Sequence, residues 1–296
     1  GERDCSLQRR HQKLVEEAPA PFLSEDERRT LHETAVRAAR AVGLTNAATA
    51  EFLFDEDRRF WFLEINTRLQ VEHGVTELAA GIDMVREQLW LAAGYPLSER
   101  IEEAARQASR PTRHAIEIRL SAEDPARAFA PAPGTIGRWA MPSGPGIRID
   151  TAVGSGSRVP PDYDPLIAKL MVVDETRDAA IDRLARALDE VTVSGVQTTL
   201  PFHRYIVGDA RFRAGDLSID WVDEHWVAIA DARRRDALAV ASEMAAAAVG
   251  GGPGAAPLES GSDSGGSARP APSLEGGGSS AWARAGRARA TDRWPR

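Results

Sequence analysis

Residues 62–77 read Phe-Leu-Glu-Ile-Asn-Thr-Arg-Leu-Gln-Val-Glu-His-Gly-Val-Thr-Glu, and the rest of the chain makes most sense as their support. In an extended chain, side chains alternate between two faces. Glu64, Asn66, Arg68, Gln70 and Glu72 then share a face with Phe62, while Leu63, Ile65, Leu69 and Val71 take the other, which can pack into a core. The first face lines up two acids, one base and two amides, a set able to bind and polarise a charged substrate. A solvated strand edge gives a similar alternation.

The preceding residues add a second feature. Two strand-like runs, 50–54 and 60–65, flank a charged turn at 55–59 and read as a hairpin with a longer loop. With the turn centred there, Glu51 lies opposite Glu64 on one face. Like charges directly opposite destabilise a sheet, and a divalent cation is the simplest compensation. Mg²⁺ takes oxygen ligands, commonly one or two carboxylates together with substrate phosphates. Asn66 offers an amide oxygen two residues on. The alternatives are acids splayed into water or a register shifted by one.

Glu51 with Glu64-Ile65-Asn66 resembles the metal-binding acid pair of the ATP-grasp ligases. The run Asn66-Thr67-Arg68-Leu69-Gln70-Val71-Glu72-His73 is similar to one branch of them, the biotin carboxylases of acyl-CoA, pyruvate and urea carboxylases. Residues 1–20, read alone, are an exposed strand or loop dense in charge. They closely resemble the strand that enters this family's active site. Arg119-Leu120-Ser121-Ala122-Glu123-Asp124-Pro125 and residues 160–170 resemble its C-terminal domain.

The resemblance covers roughly residues 1–226 and implies an α+β fold. Residues 1–110 would be the C-terminal part of an ATP-grasp domain and 111–230 the biotin carboxylase C-terminal domain. Residues 231–296 would be a flexible linker and basic tail. The implied reaction uses ATP and bicarbonate to carboxylate N1 of biotin borne by a carrier protein. In it Glu72 is the general base, and Arg68 and Lys13 hold bicarbonate. Gln70 and Val71 line the bicarbonate and biotin side, and Arg119 lies against the ureido oxygen of biotin. Gln8, His11, Glu51, Leu53 and Glu64 serve ATP. Glu51, Glu64 and Asn66 hold Mg²⁺ or Mn²⁺. The implied partners are a biotin carboxyl carrier, a carboxyltransferase subunit and a second copy of the chain.

Some features depart from the pattern. Gly74 stands where the family usually has Pro, which is expected to loosen the loop after Glu72. The family's nucleotide-fold domain and glycine-rich phosphate loop would lie before Gly1, so these residues alone are expected to have little ligase activity. The chain opens on Gly1 inside a strand-like run, as a piece of something longer would. No Ala-Met-Lys-Met motif is present, so biotin is expected on another protein. Other ATP-grasp ligases and a non-catalytic interaction module are the alternative readings.

The 296 residues suffice for two domains, and 43% hydrophobic with 27% charged residues is ordinary for a globular chain. A net charge of −7 argues against a broad nucleic-acid footprint. Cys5 is the single cysteine, which excludes an internal disulfide and a multi-cysteine zinc site; with no basic neighbour to activate it, it reads as structural. No run of 18 apolar residues and no signal peptide is evident, so cytoplasm is the default location and no membrane partner is expected.

Ser24 with Glu27 forms a capping box that predicts a helix to about Val42, with Leu31, Ala35, Ala38 and Val42 buried. Helical runs follow at 76–80 and 83–93, with Met84, Leu89 and Leu91 expected in the core. Residues 98–112 read as a polar connection. Residues 114–120 alternate as a strand that puts Glu117 and Arg119 on one face. Further strands are expected at 135–140, 147–153 and 166–173, and helices at 176–190, 198–208 and 219–230. Beyond Ala241, Ala, Gly, Ser and Pro leave too few large apolar groups to offset ordering entropy, and five arginines close the chain at 282–296.

Overall fold

A computed structural model describes residues 1–250; the tail at 251–296 lies outside the described residues. In chain order come β1 (Gln8–Arg9), β2 (Gln12–Lys13), β3 (Val15–Ala18), α1 (Glu25–Ala41), β4 (Thr49–Phe54), β5 (Phe60–Asn66), α2 (His73–Ala80), α3 (Met84–Ala92) and α4 (Glu99–Gln107). The second half holds β6 (His114–Ser121), β7 (Glu123–Asp124), β8 (Ala130–Pro131), β9 (Gly134–Thr135), β10 (Trp139–Ala140), β11 (Ile147–Thr151), β12 (Arg158–Val159) and β13 (Leu166–Asp174). It closes with α5 (Arg177–Glu190), β14 (Thr192–Val193), α6 (Leu200–Ile206), α7 (Ala210–Ala214), a π-turn at Val222–Trp226 and α8 (Val227–Gly250).

The organising element is a 4-stranded antiparallel sheet in the order β11-β13-β6-β3. Its two faces differ because strand side chains alternate. Ile116, Ile118 and Leu120 of β6 join Leu170 and Val172 of β13 in the main core, with Ile181, Leu184 and Leu188 of α5. The opposite face carries Glu16, Glu117, Arg119 and Lys169, and α2 packs over it. There Val75 forms a small apolar contact with Ala18 and Ala115.

This sheet crosses the division expected at 110/111. β3, from the first segment, pairs with β6, from the second. Val15, Glu16, Glu17 and Ala18 are all buried, so the charged N-terminal segment is not an exposed strand or loop. Burial is possible because the acids find polar partners: Glu17 accepts a hydrogen bond from Arg177 (2.7 Å) and meets His114 Nε2 (2.6 Å).

Other expectations are corrected. The extended stretch after residue 60 ends at Asn66, since its partner strand begins at Thr49 and offers no ladder beyond it. Leu63 is 51% exposed and Val71 37%, so the second face of that stretch is not a core. The α1 capping box is present, but Val42 is exposed and Arg28 is the one buried residue of the helix, tied to Glu2 Oε1 (2.5 Å) and the carbonyl of Ala20 (3.0 Å). No residue of α3 is buried, and Leu89 is among the most exposed apolar side chains. The presumed connection at 98–112 contains α4, capped by Ser98, whose Oγ accepts from Ile101 N and donates to Glu87. Residues 231–250, expected to begin a linker, continue α8. No described helix is long and apolar enough to cross a membrane.

Candidate active site

The predicted hairpin is β4–β5, and it sets Glu51 opposite Glu64 as expected. A bulge follows between Glu51 and Phe52, which re-aims the strand beyond the acid pair. Asn66, opposite Thr49, donates from Nδ2 to Glu64 Oε1 (2.8 Å) and Glu51 Oε1 (3.2 Å). Glu51 Oε1 also accepts from Gln70 Nε2 (2.8 Å) and Lys13 Nζ (3.3 Å). Three donors thus converge on an acid pair that would otherwise repel itself. That demand for positive charge, met with hard oxygen donors in register, fits a divalent cation. The amide of Asn66 is turned with its N–H toward the acids, so ligation through its oxygen requires the amide to rotate.

Past Asn66 the chain turns and re-enters as α2, with Glu72 at the cap position and His73 N donating to Gln70 O (3.3 Å). Glu72 is 2% exposed and clamped from two sides. Lys13 Nζ donates to Oε1 at 2.5 Å and Arg119 Nη2 to Oε2 at 2.9 Å. Burial raises its carboxyl, but the Lys13 hydrogen bond and charge outweigh that and hold it below the ordinary range. Burial likewise opposes the Lys13 charge, while Cys5, the Glu72 hydrogen bond and the charges of Glu72 and Glu51 keep the ammonium above its usual value.

Arg119 sits mid-strand in β6. Its Nε donates to Glu16 Oε1 at 2.6 Å, and its Nη2 is shared between that oxygen (2.6 Å) and Glu72 Oε2 (2.9 Å), so the guanidinium ties β3 to Glu72. Its carbonyl accepts from Thr199 Oγ1 (3.0 Å) and His203 Nε2 (2.8 Å). Since the carbonyl can only accept, His203 carries its proton on Nε2 there. Burial pushes His203 down to about 4, which keeps it neutral.

Among the predicted residues, Lys13, Glu51, Glu64, Asn66, Gln70, Glu72 and Arg119 form one continuous network. The amide of Gln70 bridges Glu51 and Arg3, whose Nη2 lies 2.8 Å from Oε1. Val71 contributes its carbonyl, which accepts from Lys169 Nζ at 2.8 Å. Arg68 is exposed and donates only to Leu69 O (3.3 Å) among the described contacts, so its fork is free for a ligand. Gln8 pairs in register with Lys13, and His11 lies at the exposed tip of that β1–β2 hairpin. Leu53 is 41% exposed beside Trp61. No described side-chain hydrogen bond joins Gln8, His11, Leu53 or Arg68 to Glu72.

The sequence reading missed Glu16, Arg3, Lys169, Thr199 and His203. The apolar Leu14-Val15 before Glu16 and Ala18 after it were the only local signal that its acids are enclosed. Gly74 is also other than expected. It lies in the first turn of α2, where a Cβ would meet Met171 Sδ at 2.3 Å and Glu117 Oε2 at 3.2 Å. The segment is closely packed, not loosened. Cys5 is consistent with a structural role, since burial pushes its thiol up and keeps it protonated.

An acid hairpin beside a buried carboxylate clamped by Lys and Arg is the arrangement expected from the resemblance to ATP-grasp ligases. Consistent with this, residues 1–100 match the family model described as carbamoyl-phosphate synthase L chain, ATP binding domain. Residues 117–224 match the biotin carboxylase C-terminal domain. The chain is 46% identical over 224 residues to biotin carboxylase 2 of Bacillus subtilis (strain 168), covering 76% of this chain and 49% of that one. It superposes with TM-score 0.72 and 44% identity on the biotin carboxylase domain dimer of Hydrogenobacter thermophilus 2-oxoglutarate carboxylase, covering 76% and 49% of the two chains. For the biotin carboxylase of Campylobacter jejuni the figures are 0.70 and 41%, over 75% and 48%. The chain therefore corresponds to the C-terminal portion of biotin carboxylases, and it spans about half the length of the curated relatives it matches.

Proposed function

We propose that this chain supplies the bicarbonate and biotin side of a biotin carboxylase site, for ATP-dependent carboxylation of biotin on a carrier protein. The observation that carries it is Glu72, buried and gripped by Lys13 and Arg119 from segments 59 and 47 residues away. A structural salt bridge needs one such partner. Two cations on one buried acid, with a third, Arg68, unengaged nearby in the chain, suit a site that receives an anion.

Bicarbonate must lose a proton to become a competent nucleophile. Glu72 in its clamp is a weak base, because Lys13 and Arg119 stabilise its anion. An incoming anion draws the Lys13 ammonium toward itself, and Glu72 regains basicity as that hydrogen bond lengthens. Arg68 presents a planar fork suited to two oxygens of the anion. Arg119 then stands beside the charge that develops on the biotin ureido oxygen. The solved Hydrogenobacter relative is a complex with MgADP and bicarbonate. Here Glu51, Glu64 and Asn66 would hold Mg²⁺, which when bound neutralises phosphate charge. That relative is a domain dimer, and a dimer is the expected state of the complete protein.

ATP binding is expected to need the remainder of a full-length relative. Isothermal calorimetry with MgATP should show no binding to this chain and clear binding to a chain extended to the relatives' length, which should also turn over ATP with bicarbonate and biotin. Failure of the extended chain, with Glu51, Glu64 and Glu72 intact, would overturn the catalytic reading in favour of a non-catalytic module that docks on a carrier or sister subunit.

A further inference from the structure

Beneath the catalytic cluster lies a second pair of acids. Glu16 of β3 and Glu117 of β6 are register partners across the sheet, and both are 0% exposed. Opposed like charges are unfavourable even at a surface. Here there is no solvent to screen them. Three of the four oxygens have no hydrogen-bond partner among the described residues: Glu16 Oε2 and both oxygens of Glu117. The fourth, Glu16 Oε1, accepts from Arg119.

The charged neighbours do not resolve this for Glu117. Lys169 of β13 lies 3.9 Å from Glu117 Oε2, beyond hydrogen-bonding range, and is committed to Val71 O (2.8 Å) and Asp150 of β11 (3.2 Å). Arg119, on the same face of β6, is divided between Glu16 and Glu72. From α2 come the Gly74 backbone and, at its cap, the anionic Glu72; His73 of that helix turns to Gln70 O. Two full negative charges in this enclosure would leave Glu16 and Glu117 with one guanidinium between them, itself shared with Glu72.

We propose that Glu16 and Glu117 are a positioning pair for Arg119 that shares one proton, with ionised Glu16 anchoring the guanidinium and Glu117 standing as a neutral carboxylic acid. The proton turns one unpartnered oxygen into a donor and removes the second negative charge from the register pair. It also leaves Arg119 balanced between two acids, its Nε on Glu16 and its Nη2 shared between Glu16 and Glu72. Burial, reinforced by Glu16, raises the Glu117 carboxyl well above the usual range, and burial raises Glu16 to about 7. The positioning part rests on the role given to Arg119 above; the shared proton does not.

Infrared spectroscopy of this chain tests the proton directly. At about pH 8, above the Asp4 and Glu16 titrations, the wild-type chain should retain a carboxylic-acid C=O band that Glu117→Gln loses. No such band in the wild type overturns the shared proton, and this arm stands even where the variant fails to fold. Where it folds, its folding equilibrium should gain about tenfold over wild type per pH unit from the ordinary carboxylate range up to the Glu117 titration. An unchanged ratio overturns the proposal. In the chain extended to full length, Glu16→Gln should lower kcat about tenfold or more while KM for ATP stays put. Unchanged kcat overturns the positioning role. A wild-type extended chain that does not carboxylate biotin refutes the reading of the site instead, and leaves the infrared result to decide the proton.

Discussion

Gly74 gives a sharp test of how α2 seals the site. Met171, whose sulfur would lie 2.3 Å from a Cβ at position 74, is 0% exposed in β13, and the carboxyl of Glu117 lies on the same side. Met is adaptable, but here it has no solvent to move into. Inserting a methyl into such packing costs about 1–3 kcal/mol. Ala gains up to about 1 kcal/mol over Gly in a helix, less in a first turn. Gly74→Ala should therefore destabilise the chain by about 1–2 kcal/mol, a fall of several degrees in Tm at this size. Shortening the partner should absorb the methyl. In Gly74→Ala/Met171→Val the two effects should be non-additive by about 1 kcal/mol or more, read from a double-mutant cycle of urea unfolding. Gly74→Pro, the residue common in the family, loses no helical hydrogen bond in a first turn. It should also be tolerated only with the shortened Met171. Wild-type stability for Gly74→Ala, or simple additivity in the cycle, would refute the packing argument.

In a chain extended to full length, Arg68→Ala should cut turnover about a hundredfold while changing KM for ATP little, because an oxyanion donor acts mainly in the transition state. An unchanged turnover in a bicarbonate-dependent ADP-release assay would sink that role. His203 predicts an acid-side weakness. Its pKa falls from 6.5 to about 4 on burial, so only the unfolded chain takes up the proton between those values. Stability is then lost as pH falls from about 6.5 toward 4, by roughly 3 kcal/mol in all. His203→Gln should show a shallower loss in urea midpoints over that window; a parallel curve would contradict the buried, neutral assignment.

Much of the active site was legible locally. Alternation in two short runs around a charged turn set Glu51 against Glu64, and alternation in 114–120 put Glu117 beside Arg119, because strand geometry acts over two residues. The Ser24–Glu27 box fixed the start of α1 for the same local reason. The polar helix α4 was hidden by a composition that suits a connection as well as a solvated helix.

What lay beyond the sequence is what brings segments together. Alternation carried past Asn66 put Glu72 on a strand, whereas it reaches Lys13 from the cap of a helix, because β4 ends and α2 must cover the sheet. The burial of Glu16 and Glu17 depends on β3 pairing with a strand about 100 residues away and on Arg119, Arg177 and His114 arriving as partners. A charged residue's own neighbours in the chain do not say whether a distant cation will meet it. Residue types and spacing by themselves marked the groups with the means for the proposed chemistry; tertiary pairing decided which acids lose their water, and so which carry charge.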